Sequence, residues 1–151
     1  MNQTCIIYHS PHLKNTEKLL LEIAKKHPQA KLVEAAKFTP DILEQYDTVG
    51  LASGIYYGKL SARLLKIMEI VMKSGVKRVF FIYTSGVGVV KNYENKLAEY
   101  SKENGKDCLG FYGCKALDKF GPFRLIGGLN KGRPNEEDIE KAISFFEERI
   151  L

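Results

Sequence analysis

The run Lys77-Arg78-Val79-Phe80-Phe81-Ile82-Tyr83 constrains this chain more than any other feature. Past its two basic residues it is apolar at every position and does not alternate between two faces. A strand of that kind is covered on both sides, as a central strand of a parallel sheet is. Parallel neighbours need long crossovers, and the chain supplies them. β-rich runs at 4–9, 30–34, 47–52, 77–83 and 107–112 alternate with helical periodicity at 16–27, 61–74, 92–104 and 136–150. In the second helix Leu64, Leu65, Met68, Val71 and Met72 fall on one side, as a core stripe does. Before the last helix Asn135 is an N-cap, and Glu136, Glu137 and Asp138 suit the helix dipole. Ile139, Ala142, Ile143 and Phe146 form that helix's apolar stripe. The link 40–46 has room for one or two helical turns. The expectation is one domain over 1–151. It is α/β, a three-layer α/β/α doubly wound sandwich on a five-stranded parallel sheet of order 2-1-3-4-5.

Composition narrows the function classes. A chain of 151 residues buries a core without staples. No apolar run reaches membrane-spanning length, and the polar start Met1-Asn2-Gln3-Thr4 is not a signal peptide, so a cytoplasmic protein is expected. The net charge of +5 is spread along the chain rather than massed, which reads as a mildly basic surface and not a nucleic-acid footprint. Cys5, Cys108 and Cys114 lack metal or redox spacing. His9, His12 and His27 do not cluster with acids. No metal site and no acid–base–nucleophile constellation emerges.

Ligands of such sheets bind beyond the carboxyl ends of the strands, and three loops there carry suggestive chemistry. Ser10-Pro11-His12-Leu13-Lys14-Asn15-Thr16 empties the first strand into a helix start, whose backbone N–H groups and partial positive charge favour an anion. Four polar groups exceed what capping alone needs. Ser53-Gly54-Ile55-Tyr56-Tyr57-Gly58 follows the third strand and offers flat rings between glycines. Thr84-Ser85-Gly86-Val87-Gly88 follows the fourth, with small residues and outward N–H groups. Together they describe a phosphate at one end and a flat, hydrogen-bonding ring at the other. The glycine-rich segment 114–134 is a long excursion, read equally as cover for a sheet edge or as part of the ligand site.

These residues resemble the flavodoxin family, whose members carry FMN and shuttle single electrons. Ser10-x-His12-x-x-Asn15-Thr16 is similar to the family's phosphate loop, Ser53 to Gly58 to its first flavin-ring loop and Thr84-Ser85-Gly86 to the opening of its second. The segment Gly127 to Ile139 also resembles flavodoxin-domain proteins. The resemblance implies a phosphate held by Ser10, His12, Asn15 and Thr16 with Lys14 near it, and Tyr57 stacked on the isoalloxazine. It also implies the flavin N5 edge at Gly58 and the pyrimidine edge at Thr84, Ser85, Gly86 and Gly88. Four departures stand out. The first loop is one residue longer than the common Ser/Thr-x-Thr-Gly-x-Thr. Lys14 replaces the usual glycine, at a penalty if positive φ is required there. His12 stands where a hydroxyl is commoner. The family is typically acidic, whereas this chain is basic. That predicts a less negative flavin potential and redox partners with acidic docking faces.

The resemblance thus implies an FMN electron carrier more than a substrate-converting enzyme. One alternative is a small FMN-dependent oxidoreductase, such as a quinone reductase or a protoporphyrinogen-oxidising protein. The other is a flavin-free binding module on the same fold.

Overall fold

In the computed structural model, which describes residues 3–11, 14–116 and 130–151, the apolar run lies in strand β5 (Arg78–Ser85), inside the sheet. It is paired in parallel on one side with β3 (Thr48–Tyr56) and on the other with β6 (Asp107–Lys115). Strand β1 (Thr4–His9) pairs with β3 and with β2 (Lys31–Glu34), also in parallel. The order is β2-β1-β3-β5-β6, and a two-residue strand β4 (Lys59–Leu60) folds back antiparallel on the end of β3. Counting only the five parallel strands, this is the expected 2-1-3-4-5 order.

Helices α1 (Asn15–Lys26) and α4 (Glu136–Arg149) cover one face, where Leu19, Leu20, Ile23, Ala142 and Phe146 meet Ile6, Phe80 and Ile82. Helices α2 (Ala62–Lys73) and α3 (Lys91–Glu103) cover the other, where Leu64, Met68, Val71 and Leu97 meet Ile7, Leu51, Val79 and Phe81. Alternate residues of one strand thus feed two cores, so β5 carries no polar face. Tight crossings set two glycines. A Cβ on Gly50 would stand 2.4 Å from the Phe80 ring, and one on Gly113 2.2 Å from that of Tyr83. Each glycine sits opposite that aromatic in the sheet register. The link after β2 forms two short 3-10 segments, Ala35–Lys37 and Pro40–Gln45.

Two expectations change. The third strand does not end at residue 52: Ser53, Gly54, Ile55 and Tyr56 extend β3, and only Tyr57 and Gly58 turn the chain into β4. Both have positive φ, 53° and 81°, the condition for a two-residue hairpin turn that matches strand twist. The last strand likewise runs on to Lys115. Among the described residues no helix is long and apolar enough to cross a membrane, and no group of His, Cys, Asp or Glu has the arrangement of a metal site. The three cysteines are free thiols. Burial pushes Cys5 and Cys114 up to about 12, which keeps both protonated and unreactive.

Candidate functional site

Strands β1, β3 and β5 are neighbours and parallel, so all three loops singled out by sequence leave one edge of the sheet. The register sets His9 beside Ser53 and Gly54 beside Thr84. His12 and Leu13 lie outside the described residues, as do Phe120, Gly121, Pro122, Phe123, Leu125, Ile126, Gly127, Gly128 and Leu129 of the long excursion.

At the first loop, Lys14 precedes α1 in a left-handed conformation, φ 50° and ψ 35°, and offers no side-chain cap. The cap comes from Ser10, whose Oγ accepts the Glu17 N–H at 3.2 Å. A hydroxyl that accepts this bond still has its own proton to donate. Lys14 is exposed and Asn15 half-buried, while Thr16 is buried and turned inward, its Oγ1 2.9 Å from Thr84 Oγ1. That hydroxyl pair joins the first loop to the third past the intervening strand β3.

The second loop is a hairpin tip on a buried base. Ser53 is fully buried; its hydroxyl donates to the Gly54 carbonyl at 2.7 Å and accepts the Ser61 N–H at 3.1 Å. Ser61 caps α2, accepting the Leu64 N–H at 3.2 Å, and its Oγ lies 2.9 Å from His9 Nδ1. Ile55 and Tyr56 are half-buried, the Tyr56 ring folded back over Gly54, whose missing Cβ leaves room for it. Burial raises the Tyr56 hydroxyl above its usual range. Tyr57, in contrast, is 90% exposed. A Cβ placed on Gly58 would meet nothing within 4 Å, so the turn peptide has open space beside it.

The third loop is more tied down than its sequence implies. Thr84, Ser85 and Gly88 are buried, and Gly86 is half-buried. The Val87 N–H turns back to Ser85 Oγ at 3.2 Å and the Gly88 N–H to the Ser85 carbonyl at 3.4 Å, so these two donors face inward, not outward as expected. Small side chains and the short Ser85 hydroxyl allow the chain to close on itself this way. Val87 and Val89 remain exposed, at 73% and 60%.

Three supports escaped the sequence reading. Asn130 Nδ2 donates to the carbonyls of Gly86 (2.7 Å) and Ala116 (3.2 Å), clamping both described ends of the long excursion to the third loop. Its positive φ of 57° is one that asparagine tolerates, and an Asn-Lys-Gly step is the only local signal. Tyr83 accepts the Val90 N–H at 3.0 Å and donates to the buried Glu94 carboxylate, fastening the far end of that loop. Lys18 Nζ donates to the Pro134 carbonyl at 3.1 Å, tying α1 to the segment before α4. The described residues also form a shallow polar crevice lined by Gln3, Glu44, Gln45, Tyr46, Asp47 and Gly75. It lies at the amino ends of the strands, away from this chemistry.

The edge therefore presents a helix start with a hydroxyl and an ammonium at one end, and an exposed aromatic tip with open backbone at the other. Such a surface can hold an anionic group and a flat ring together. No protein-family model matches the chain. It is 40% identical over 141 residues to the uncharacterized protein MJ0298 of Methanocaldococcus jannaschii, covering 93% of each chain. Among solved structures it is similar to the flavodoxin of Streptococcus pneumoniae TIGR4 (TM-score 0.63, 16% identity, 96% of each chain). It is also similar to the general stress protein 14 of Treponema denticola in complex with FMN (TM-score 0.67, 11% identity, 96% of this chain and 98% of that one). This chain belongs to one family with the Methanocaldococcus protein, and its fold is that of the flavodoxins.

Proposed function

We propose that the protein binds FMN and passes electrons through it. The observation that carries this reading is the convergence, at the ends of three neighbouring strands, of a helix start and an outward Tyr57 beside unhindered backbone at Gly58. Flavodoxin-fold structures, one of them in complex with FMN, support it.

The residues fit the group. Ser10 donates its hydroxyl proton to a phosphate oxygen while its lone pair stays on the Glu17 N–H. The first-turn N–H groups of α1 add their dipole, and the Lys14 ammonium neutralises charge. Asn15 adds an amide, and His12 joins them on the strength of the resemblance. The exposed Tyr57 would lie against the flat ring. The Gly58 peptide has open space beside it and would offer its carbonyl or its N–H to the ring edge. Gly86 contributes backbone at the pyrimidine end. Thr16, Ser53, Thr84 and Ser85 act from beneath, holding loops rather than meeting solvent, with Asn130 and Gly88 fixing the third loop's shape. Pre-set donors of this kind reduce the ordering cost of binding. FMN would supply the redox chemistry when bound, and this reading asks no side chain to act as acid, base or nucleophile.

Titration of the purified protein with FMN, followed by absorption and flavin fluorescence, tests the reading. Stoichiometric uptake with quenched fluorescence is expected, and an absence of uptake overturns it. Rapid NAD(P)H oxidation by the loaded protein would instead favour the oxidoreductase alternative.

A further inference from the structure

The two ring-side loops carry the largest exposed apolar groups of the carboxyl edge among the described residues, Tyr57, Val87 and Val89. Around them stand exposed lysines: Lys59 on β4, Lys91 opening α3, Lys115 ending β6 and Lys131 beyond the excursion. Hydrogen bonding and packing bring three of these lysines onto the same loops. The Leu60 N–H donates to the Tyr93 hydroxyl at 3.1 Å, which brings the residue after Lys59 against the first turn of α3, where Lys91 sits. The Lys115 stem lies 3.2 Å from where a Gly88 Cβ would be, directly on the second ring loop.

No Asp or Glu occurs at 54–63, 84–93 or 130–135. The acid that follows, Glu94, is buried, accepts from Tyr83 and lies 4.0 Å from Lys91, whose side chain is still 76% exposed. Among the described residues, the exposed acids of this edge belong to other elements. Glu34 ends β2, and Glu136 and Glu137 open α4, where Glu137 is paired with Lys141 at 3.0 Å.

We infer that this face is a docking surface for an acidic redox protein. An apolar, aromatic centre with a charged rim is the anatomy of a protein–protein contact, and a rim of one sign selects a partner of the other and speeds its approach. A nucleic acid would use the lysines, but two outward valines add nothing to phosphate contact. The choice of a redox partner rests on the FMN reading; the surface itself does not.

The probe is a plant-type [2Fe–2S] ferredoxin, an acidic carrier, titrated calorimetrically into the full chain with and without FMN at low and high salt. Binding at low salt that weakens steeply with added salt is expected. The combined variant Lys59→Glu, Lys91→Glu and Lys115→Glu loses at least about tenfold in affinity. A control with the same charge change at the opposite edge, Lys25→Glu, Lys31→Glu and Lys77→Glu, stays within about threefold, since distant charges are screened. If the first variant does not fold by circular dichroism, the Lys→Gln version of the same three positions is read instead. No ferredoxin binding at low salt overturns the inference, as does equal loss in both variants. Basic cytochrome c binding as tightly as ferredoxin overturns it too, and so does a single-stranded RNA oligomer that binds these lysines more tightly. Docking that persists in a protein taking up no FMN would leave the surface standing and remove the flavin reading alone.

Discussion

Lys14 and Tyr57 both hold left-handed backbone, φ 50° and 53°, where a side chain costs about 1–2 kcal/mol. Both sit at the candidate site, one before α1 and one at the hairpin tip. Strain kept at such positions is expected where the side chain itself is used. Lys14→Gly should therefore raise stability by about 1 kcal/mol, read as a higher thermal midpoint, while FMN affinity falls because the ammonium is gone. Unchanged or lower stability would show that the Lys14 backbone is not strained. Tyr57→Asn is a sharper case, since asparagine suits the first position of this turn. Stability should rise by about 0.5–1 kcal/mol. FMN binding should weaken by about two- to tenfold, the worth of one aromatic contact. Denaturant melts and flavin-fluorescence titrations on the same preparations read both effects, and parallel movement of the two would refute the trade.

At the scale of elements, α4 shows how a short sequence signature becomes a fixed joint. Asn135 Oδ1 accepts the Asp138 N–H at 2.9 Å, and Asp138 Oδ2 accepts the Asn135 N–H at 2.8 Å, a reciprocal capping box. Arg133 adds two bonds to the same carboxylate, at 2.6 and 2.8 Å. Burial alone would raise the Asp138 carboxyl. The Arg133 guanidinium and the Asn135 N–H outweigh it and hold the group below its ordinary value near 3.8. A depressed carboxyl contributes stability that is complete above the unfolded value and is lost as pH falls through the folded one. Asp138→Asn should thus cost about 2 kcal/mol at neutral pH, and the gap to the parent should close only below about pH 4. Urea melts from pH 7 to pH 2.5 measure this; a gap independent of pH would remove the ion pair from the explanation. The cap was legible in Asn135-Glu136-Glu137-Asp138. Its tie to Tyr112, which donates to the Asp138 carbonyl at 2.8 Å, joins residues far apart in the chain, and no local pattern signals it.

For the whole molecule, the net charge of +5 sets the expectation for a bound flavin. A basic surround opposes negative charge on a bound, reduced flavin less than an acidic shell does. The last one-electron potential of the FMN-loaded protein should be less negative than in acidic flavodoxins, and the difference should shrink with added salt. Potentiometry at two ionic strengths checks it, and a very low, salt-independent value would contradict it.

The sequence alone determined the layer architecture and strand order, because strands apolar on both faces and helices apolar on one leave few ways to bury both at once. It also brought three loops to one sheet edge, since parallel strands end together. Tertiary structure decided which of their residues face solvent. Ser53, Thr84 and Thr16 read as ligand groups, yet they are buried under hydroxyl bonds that span up to 68 positions. The β4 hairpin arose from positive φ at Tyr57 and Gly58, a backbone state that a Tyr-Gly pair permits but does not announce. Periodicity reports burial of whole faces. The partners of a single hydroxyl depend on which distant segments the folded chain sets within 3 Å.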